Sequence, residues 1–160
     1  MEVGDYTQAR LKKAFVNLLS LFFRFLASGL LVVLTHAASA QTPAPVFVLN
    51  SLEGNVSVID PVTWTEKKRI PTGKEPHHLY MTPDEKSVIV ANALSDSLTF
   101  IHPRTAEVQR TLTGILDPYQ LRFSPDMKWF VTAANRLNHV DIYRWDGQTP
   151  TLAKRIATGK

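Results

Sequence analysis

The sequence of 160 residues contains no cysteine, which excludes disulfide bonds, thiolate metal sites and a cysteine nucleophile. It also lacks a Gly-x-Ser-x-Gly motif, a P-loop and a dinucleotide-binding fingerprint, and it has only 7 glycines. Neither sign of charge dominates, since 18 Lys and Arg oppose 14 Asp and Glu. The basic cluster Lys67-Lys68-Arg69 is more typical of a solvated strand edge than of nucleic-acid binding. The sequence therefore carries no strong nucleic-acid signal.

Much of the apolar content lies near the N-terminus. A ten-residue apolar core, 25–34, follows Arg24, and the segment ends in the A-x-A pattern Ala38-Ser39-Ala40. This core has the length of a signal-peptide h-region and is shorter than the roughly 20 residues that span a bilayer. The sequence predicts a signal peptide over 1–40, cleaved after Ala40. The chain would then contact the membrane only through this segment, during export to the bacterial periplasm or cell exterior. An uncleaved anchor beginning near Phe15 is the alternative.

The rest of the chain repeats itself with a period of 42 residues. "PHHLYMTPDEKSVIVAN" (76–92) and "PYQLRFSPDMKWFVTAA" (118–134) share six identities in 17 positions, where composition alone gives about one. A third copy begins at Trp129 and contains a two-residue insertion at "WDGQTP". We divide the region after a linker, 41–45, into three copies, with bounds 46–87, 88–129 and 130–160. A period in the low forties is typical of propeller blades.

Short β-rich segments alternate with turn residues, and no helix is predicted after residue 40. The predicted strands are 46–50, 55–60, 66–71, 77–81, 87–92, 97–102, 107–112 and 119–123, with counterparts in the third copy. The segments "SVIVAN" and "WFVTAA" are predicted to be continuously buried because both faces of their sheets would be covered. His77–Met81 and Tyr119–Phe123 are predicted to be the innermost strands of their blades.

These patterns predict an all-β protein made of blades of four antiparallel strands. The region after residue 45 supplies about 2.5 blades, and its first blade lacks an inner strand. Propellers need about four to eight blades to close. We therefore expect an N-terminal fragment of a longer protein whose remaining blades lie outside this chain. A small self-sufficient β-sheet domain, or an oligomer of such fragments, is the alternative.

The segment "VFVLNSLEGNVSVIDPVTWTEKKRIPTGKEPHHLYMTPDEKSVIVAN" resembles the YVTN-type β-propeller repeat, and the resemblance covers about 46–160. It departs from that repeat where Glu85 and Met127 replace the usual turn glycine and where His78 replaces the glycine after Pro-His. The resemblance implies an exported bacterial propeller, often with seven blades. Related propellers include lactonases, haem-d1 domains of nitrite reductases and quinoprotein-like subunits.

The candidate ligand contacts lie where loops lead into the inner strands, at the mouth of the propeller channel. They are His77, His78, Tyr119 and Gln120. Adjacent residues of a strand point to opposite faces, so the two histidines are not expected to chelate one metal, and a structural role is the alternative. For His102 we expect a turn role, and for His139 the sequence offers no partner. Asp96, Asp141 and Asp146 are expected in loops without calcium-loop spacing.

Three functions remain open from the sequence. The first is a non-catalytic scaffold that binds an unidentified small ligand or protein. The second is a lactonase-like hydrolase with a carboxylate-bound metal, for which the inner-strand loops offer Glu75 and Asp117. The third is a haem-d1 or quinoprotein-like redox subunit, although the sequence contains no Cys-x-x-Cys-His. No catalytic residue, metal ligand or cofactor is assigned, and the fold by itself does not choose among the three.

Overall fold

The structure, a computed structural model, describes residues 12–20 and 43–159. The chain divides into two units, 1–42 and 43–160. In the first unit, residues 12–20 are helical. The predicted apolar core and the predicted cleavage after Ala40 lie outside the described residues, so the signal peptide stays a prediction. In the parts that are described, no helix is both long and apolar enough to cross a membrane.

The second unit consists of three antiparallel sheets that follow one another along the chain. Sheet 1 has the strand order β1-β2-β3, sheet 2 the order β4-β5-β6-β7 and sheet 3 the order β8-β9-β10-β11. The strands are β1 (Val46–Asn50), β2 (Asn55–Ile59), β3 (Glu66–Pro71), β4 (Pro76–Met81), β5 (Val88–Asn92), β6 (Ser97–Ile101), β7 (Val108–Thr113), β8 (Gln120–Phe123), β9 (Trp129–Ala134), β10 (His139–Trp145) and β11 (Pro150–Ala157). One 3-10 turn, Ala93–Ser95, interrupts them. The predicted all-β fold and blade-like strand order are confirmed.

The repeat is visible in the backbone as well as in the sequence. Register shifts occur at Val58/Ile59, Phe100/Ile101 and Ile142/Tyr143, each 42 residues after the last. The loops between the second and third strands of each blade contain a left-handed residue at one repeated position. These residues are Gly54, Asp96 and Asn138. The three sheets are therefore copies of one backbone, as the sequence period predicted.

Two apolar clusters hold the sheets together. Sheets 1 and 2 meet at the first junction, around Val56, Val90 and Ile101. Sheets 2 and 3 meet at the second junction, around Phe100 and Phe130. Sheet 2 is thus covered on both faces, and every residue of β5 and β6 is buried. Burial of these apolar surfaces is the main stabilising contribution at both junctions.

The prediction that "WFVTAA" is continuously buried is wrong. Its strand, β9, alternates between buried and half-buried residues, whereas β5 is buried throughout. The difference arises because sheet 3 packs against sheet 2 on one face, and no further sheet covers its other face among residues 43–159. Alternation with period two is the expected result of covering one face of a sheet.

A repeated side-chain cap shapes the turn between the third and fourth strands of each blade. Asp60 Oδ1 accepts hydrogen bonds from the backbone N–H groups of the residues two and three positions later, at 2.7 and 3.1 Å. His102 Nδ1 accepts the equivalent pair at 3.2 and 3.1 Å, and Asp146 Oδ1 does so at 2.8 and 2.6 Å. The turn role expected for His102 is confirmed, because its ring nitrogen replaces an aspartate oxygen.

Candidate functional site

The candidate ligand contacts lie at one end of the sheets, which we call the mouth end. It is the end at which β4 and β8 begin, and strand pairing places the loops after β1, β5 and β9 there too. In sheet 2, for example, Pro76 pairs with Asn92, and Asn92 pairs with Ser97. The Pro-Asp turns lie at the opposite end. The inner strands β4 and β8 are neighbours in space, and β1, the second strand of the first blade, contacts β4.

A β-bulge lies at the His77-His78 pair. In the pairing of β4 with β5 the register passes from Pro76↔Asn92 directly to His78↔Ala91, so that His77 is the extra residue. A bulge interrupts the alternation of side chains and can redirect one of them. Both histidines consequently contact residues at or next to β8. The expectation that they point to opposite faces is therefore wrong.

His77 forms an aromatic stack that joins sheets 2 and 3 at the mouth end. Its ring centroid lies 3.5 Å from that of Tyr119, with 28° between the planes. His77 Nδ1 is buried and has no hydrogen-bond partner among the described residues. The preceding carbonyl, of Pro76, accepts a 2.7 Å hydrogen bond from Ser51 Oγ of sheet 1. The start of β4 thus contacts both neighbouring sheets. It also contains a buried polar nitrogen, His77 Nδ1, without a hydrogen-bond partner among the described residues.

His78 lies next to a cationic side chain, Arg122. Its Nε2 makes a short contact with a guanidinium nitrogen of Arg122, and that guanidinium also lies 5.0 Å from the ring centroid of Tyr80. Burial lowers the pKa of His78, and the nearby Arg122 and His77 lower it further. The ring is therefore held neutral at neutral pH. Gln120, the fourth candidate, is exposed on β8 and pairs with Ala133.

The carboxylate of Asp117 is engaged in a structural contact. This side chain is fully buried, and its two oxygens accept hydrogen bonds from the backbone N–H of Arg136 at 2.5 Å and from Arg136 Nε at 3.2 Å. A second guanidinium nitrogen of Arg136 donates a 2.7 Å bond to the carbonyl of Ala93 in sheet 2. This network ties sheet 3 to sheet 2 at the mouth end.

A second buried polar cluster lies within sheet 3. Asp141 is expected in a loop from the sequence, but it lies in β10 and is fully buried, so that expectation is wrong. Its carboxylate accepts two 2.7 Å hydrogen bonds from Arg155 and one of 3.1 Å from Tyr143. His139 Nε2 lies 3.5 Å from the same carboxylate. Neither Arg155 nor Tyr143 shows in the sequence as a partner, because neither belongs to a motif.

The cluster shifts two pKa values in opposite directions. Burial raises the pKa of Asp141, but the hydrogen bonds from Arg155 and Tyr143 outweigh it and leave the pKa below its ordinary value. Burial together with the neighbouring Asp141 raises the pKa of Tyr143 to about 12. At neutral pH the cluster therefore contains an ionised carboxylate and a neutral phenol. Ionic pairing of this kind holds two strands together without supplying a nucleophile.

No group of three or more potential metal-ligating His, Asp or Glu side chains occurs within the described parts of the chain. The two carboxylates considered as metal ligands, Glu75 and Asp117, lie at different junctions and in different environments, since Asp117 already binds Arg136. Two cavities adjoin the inner strands. One, of about 380 Å³, lies at the mouth end beside Glu75, and the other, of about 340 Å³, lies between Phe47 and Leu79.

The family model described as YNCE-like beta-propeller matches residues 13–160. The chain belongs to this family. The match agrees with the three blade-like sheets and with the resemblance to YVTN-type repeats, and it extends over part of the predicted signal peptide. No curated protein matches the sequence significantly.

Solved structures of several propellers are similar to this chain. Hydrazine synthase of Kuenenia stuttgartiensis matches with TM-score 0.59 and 22% identity over 74% of this chain and 34% of its own. The periplasmic gluconolactonase PpgL of Pseudomonas aeruginosa matches with TM-score 0.58 and 14% identity over 71% and 36%. Dihydro-heme d1 dehydrogenase NirN matches with TM-score 0.55 and 18% identity over 74% and 25%. This chain thus spans between a quarter and just over a third of each structure's length, and at these identities the likeness shows the fold alone.

Proposed function

We propose that this chain is part of an exported, non-catalytic β-propeller that binds a small ligand or a protein at its mouth end. The observation that carries the proposal is the His77–Tyr119 stack with its buried, unpartnered Nδ1. A buried polar atom without a partner is costly in a folded protein, and a bound ligand is one way to satisfy it. The nearby Arg122 adds a cation that suits a ligand with an acceptor or anionic group.

The proposed export rests on the N-terminal pattern, and the lack of cysteine is compatible with it. An apolar core that ends in Ala38-Ser39-Ala40 is the pattern of a cleaved signal peptide. One solved propeller of similar fold is a periplasmic protein by name. The proposed location is therefore the periplasm or the cell exterior. N-terminal sequencing of the mature protein tests it: a chain beginning at Gln41 supports export with cleavage, whereas an intact N-terminus contradicts it.

The binding proposal is tested on the full-length protein with a library of planar aromatic and carboxylate fragments, using ligand-detected NMR. Fragments that bind the mouth end are expected to weaken at least tenfold with His77→Ala. The matched control is His102→Asp, because the other two blades already carry aspartate at that turn position. Equal binding to wild type and to His77→Ala would contradict the proposed site.

The enzymatic alternatives are tested on the same protein. Hydrolysis of glucono-1,5-lactone, with and without added divalent cations, is expected to stay at the uncatalysed rate. The purified protein is expected to show no visible absorbance band. Lactone turnover that depends on a metal would favour the hydrolase, and a visible band would favour the redox subunit.

A further inference from the structure

Two exposed leucines stand at the same loop position in adjacent blades. Leu52 is fully exposed and Leu94 is about half exposed, each at the second position of the loop between the second and third strands. Such loop positions usually carry glycine, asparagine, aspartate, serine or proline. Two leucines repeated at one loop position and bordering the same groove form an apolar surface of the kind that marks an interaction site.

The two leucines border a groove at the mouth end of the first junction. The groove has a volume of about 380 Å³, and Lys74 and Glu75 also line it. No hydrogen bond or ion pair of the Lys74 ammonium or the Glu75 carboxylate occurs among the described residues. The groove therefore offers two apolar borders with the unpaired Lys74 and Glu75 between them. Its third charged residue, Glu53, forms an ion pair with Arg69.

The loop that carries Leu94 is hydrogen-bonded to the segment that carries Lys74 and Glu75. Leu94 N donates to the carbonyl of Lys74 at 3.2 Å, and Ala93 N donates to the carbonyl of Glu75 at 2.9 Å. Lys74 N donates to Ser95 Oγ at 2.9 Å. The backbone of these residues is thus held in place before any partner arrives, which reduces the backbone entropy lost on binding.

We propose that this groove binds an extended peptide segment of a partner protein. An apolar side chain of that segment would lie between Leu52 and Leu94, and flanking charges would pair with Lys74 and Glu75. The volume suits one or two side chains. Because the groove is lined by two carboxylates, Glu53 and Glu75, and by one cation, Lys74, it has no net attraction for an anionic membrane or a nucleic acid. Apolar anchors with a polar surround are typical of protein interfaces.

This inference deepens the proposed binding function by naming a partner class, and it uses a surface other than the His77 stack. The test selects peptides from a random phage-displayed library against the full-length protein and measures their affinity by calorimetry. Leu94→Arg places an arginine at the loop position at which sheet 3 carries Arg136. It is expected to weaken selected peptides at least tenfold, as is Leu52→Ser.

Two control variants separate this groove from other surfaces. Val62→Arg changes an exposed apolar residue at the opposite end of sheet 1 and is expected to leave affinity within twofold. His77→Ala is expected to leave it unchanged too, so loss of fragment binding with retained peptide binding separates the two proposals. Thermal melting of each variant verifies folding, and Leu52→Ser keeps the test valid if Leu94→Arg fails to fold.

Three outcomes would overturn the inference. The first is that no peptide is selected, or that the selected peptides bind Leu52→Ser and Leu94→Arg as tightly as wild type. The second is leucine-dependent binding to vesicles containing phosphatidylglycerol, which would show a membrane contact. The third is a concentration-dependent dimer abolished by the same substitutions, which would show a contact between copies of this chain.

Discussion

The two junctions between sheets share one backbone but differ at the mouth end. Glu75 and Asp117 stand 42 residues apart and both adopt left-handed backbone angles, with φ of 52° and 42°. Glu75 lines an open groove, whereas Asp117 is fully buried. The repeat therefore reproduces the path of the chain without reproducing the surface that it presents.

The difference depends on which residue the neighbouring blade loop places beside each acidic residue. At the second junction Arg136 binds Asp117 and reaches the carbonyl of Ala93, so it seals the space between the sheets. The equivalent position at the first junction is Leu94, which cannot pair with Glu75. A single repeated position thus decides whether a junction is closed by an ion pair or left open for a partner.

Arg136→Leu is expected to have the largest effect on stability. It leaves the buried carboxylate of Asp117 without its cation, and an unpaired buried charge costs about 2–3 kcal/mol. The converse substitution, Leu94→Arg, adds an exposed charge and is expected to change the free energy of unfolding by less than about 0.5 kcal/mol. Denaturant unfolding of the full-length protein measures both. Similar losses for the two variants would contradict the difference between the junctions.

Asp117→Ala and Glu75→Ala compare the two acidic residues directly. Asp117→Ala removes the charge together with its hydrogen bonds and leaves Arg136 free to be hydrated, so the expected loss is about 1–2 kcal/mol. Glu75→Ala is expected to cost less than about 0.5 kcal/mol because this carboxylate has no partner within residues 43–159. The same unfolding experiment applies, and a larger loss for Glu75→Ala would reverse the assignment.

Alkaline pH is expected to weaken the second junction selectively. Its apolar cluster contains Tyr143, whereas among the described residues no tyrosine belongs to the apolar cluster of the first junction. The pKa of Tyr143 is raised from 10.0 to about 12, so the folded state favours the neutral phenol. The resulting stability is complete below pH 10 and is lost as the pH rises towards about 12. Melting temperatures across this range, with Tyr143→Phe as the control, measure the loss, and an equal decline in both proteins would contradict it.

The turn end is expected to show a modest effect and no difference between the second and third blades. Glu85 and Met127 occupy the glycine position of the repeat, and both have φ of 58°. A non-glycine residue in this region is strained, while glycine also increases the entropy of the unfolded chain. Each substitution to glycine is expected to stabilise by about 0.5–1 kcal/mol in denaturant unfolding. Unequal values for the two turns would show that the repeat differs there as well.

Much of the fold is predictable from the sequence. The expected strands 46–50 and 66–71 coincide with β1 and β3, and 97–102 and 107–112 differ from β6 and β7 by one residue. Strand period, turn residues and the 42-residue repeat are local signals, so they survive in a single sequence. The blade bounds 46–87, 88–129 and 130–160 follow from the repeat period. As domain limits they stay a prediction.

The candidate site is less predictable because it depends on contacts between blades. The bulge at His77 changes which way one side chain points without leaving a mark in the residue pattern. The pairing of Asp117 with Arg136 joins residues 19 apart, and neither belongs to a motif. The sequence places His77 and Tyr119 only by their position before the inner strands, and their stacking follows from the packing of sheet 2 against sheet 3.

Because the chain has no native cysteine, thiol labelling of introduced cysteines is the most direct test of whether the first junction is open and the second is sealed. Ser51→Cys places a thiol in the open groove, and Ala93→Cys places one at the same repeated loop position beneath Arg136, where the native residue is fully buried. In the folded full-length protein, maleimide is expected to modify Ser51→Cys at least a hundredfold faster, with equal rates after unfolding in denaturant. Equal rates in the folded protein would contradict the account.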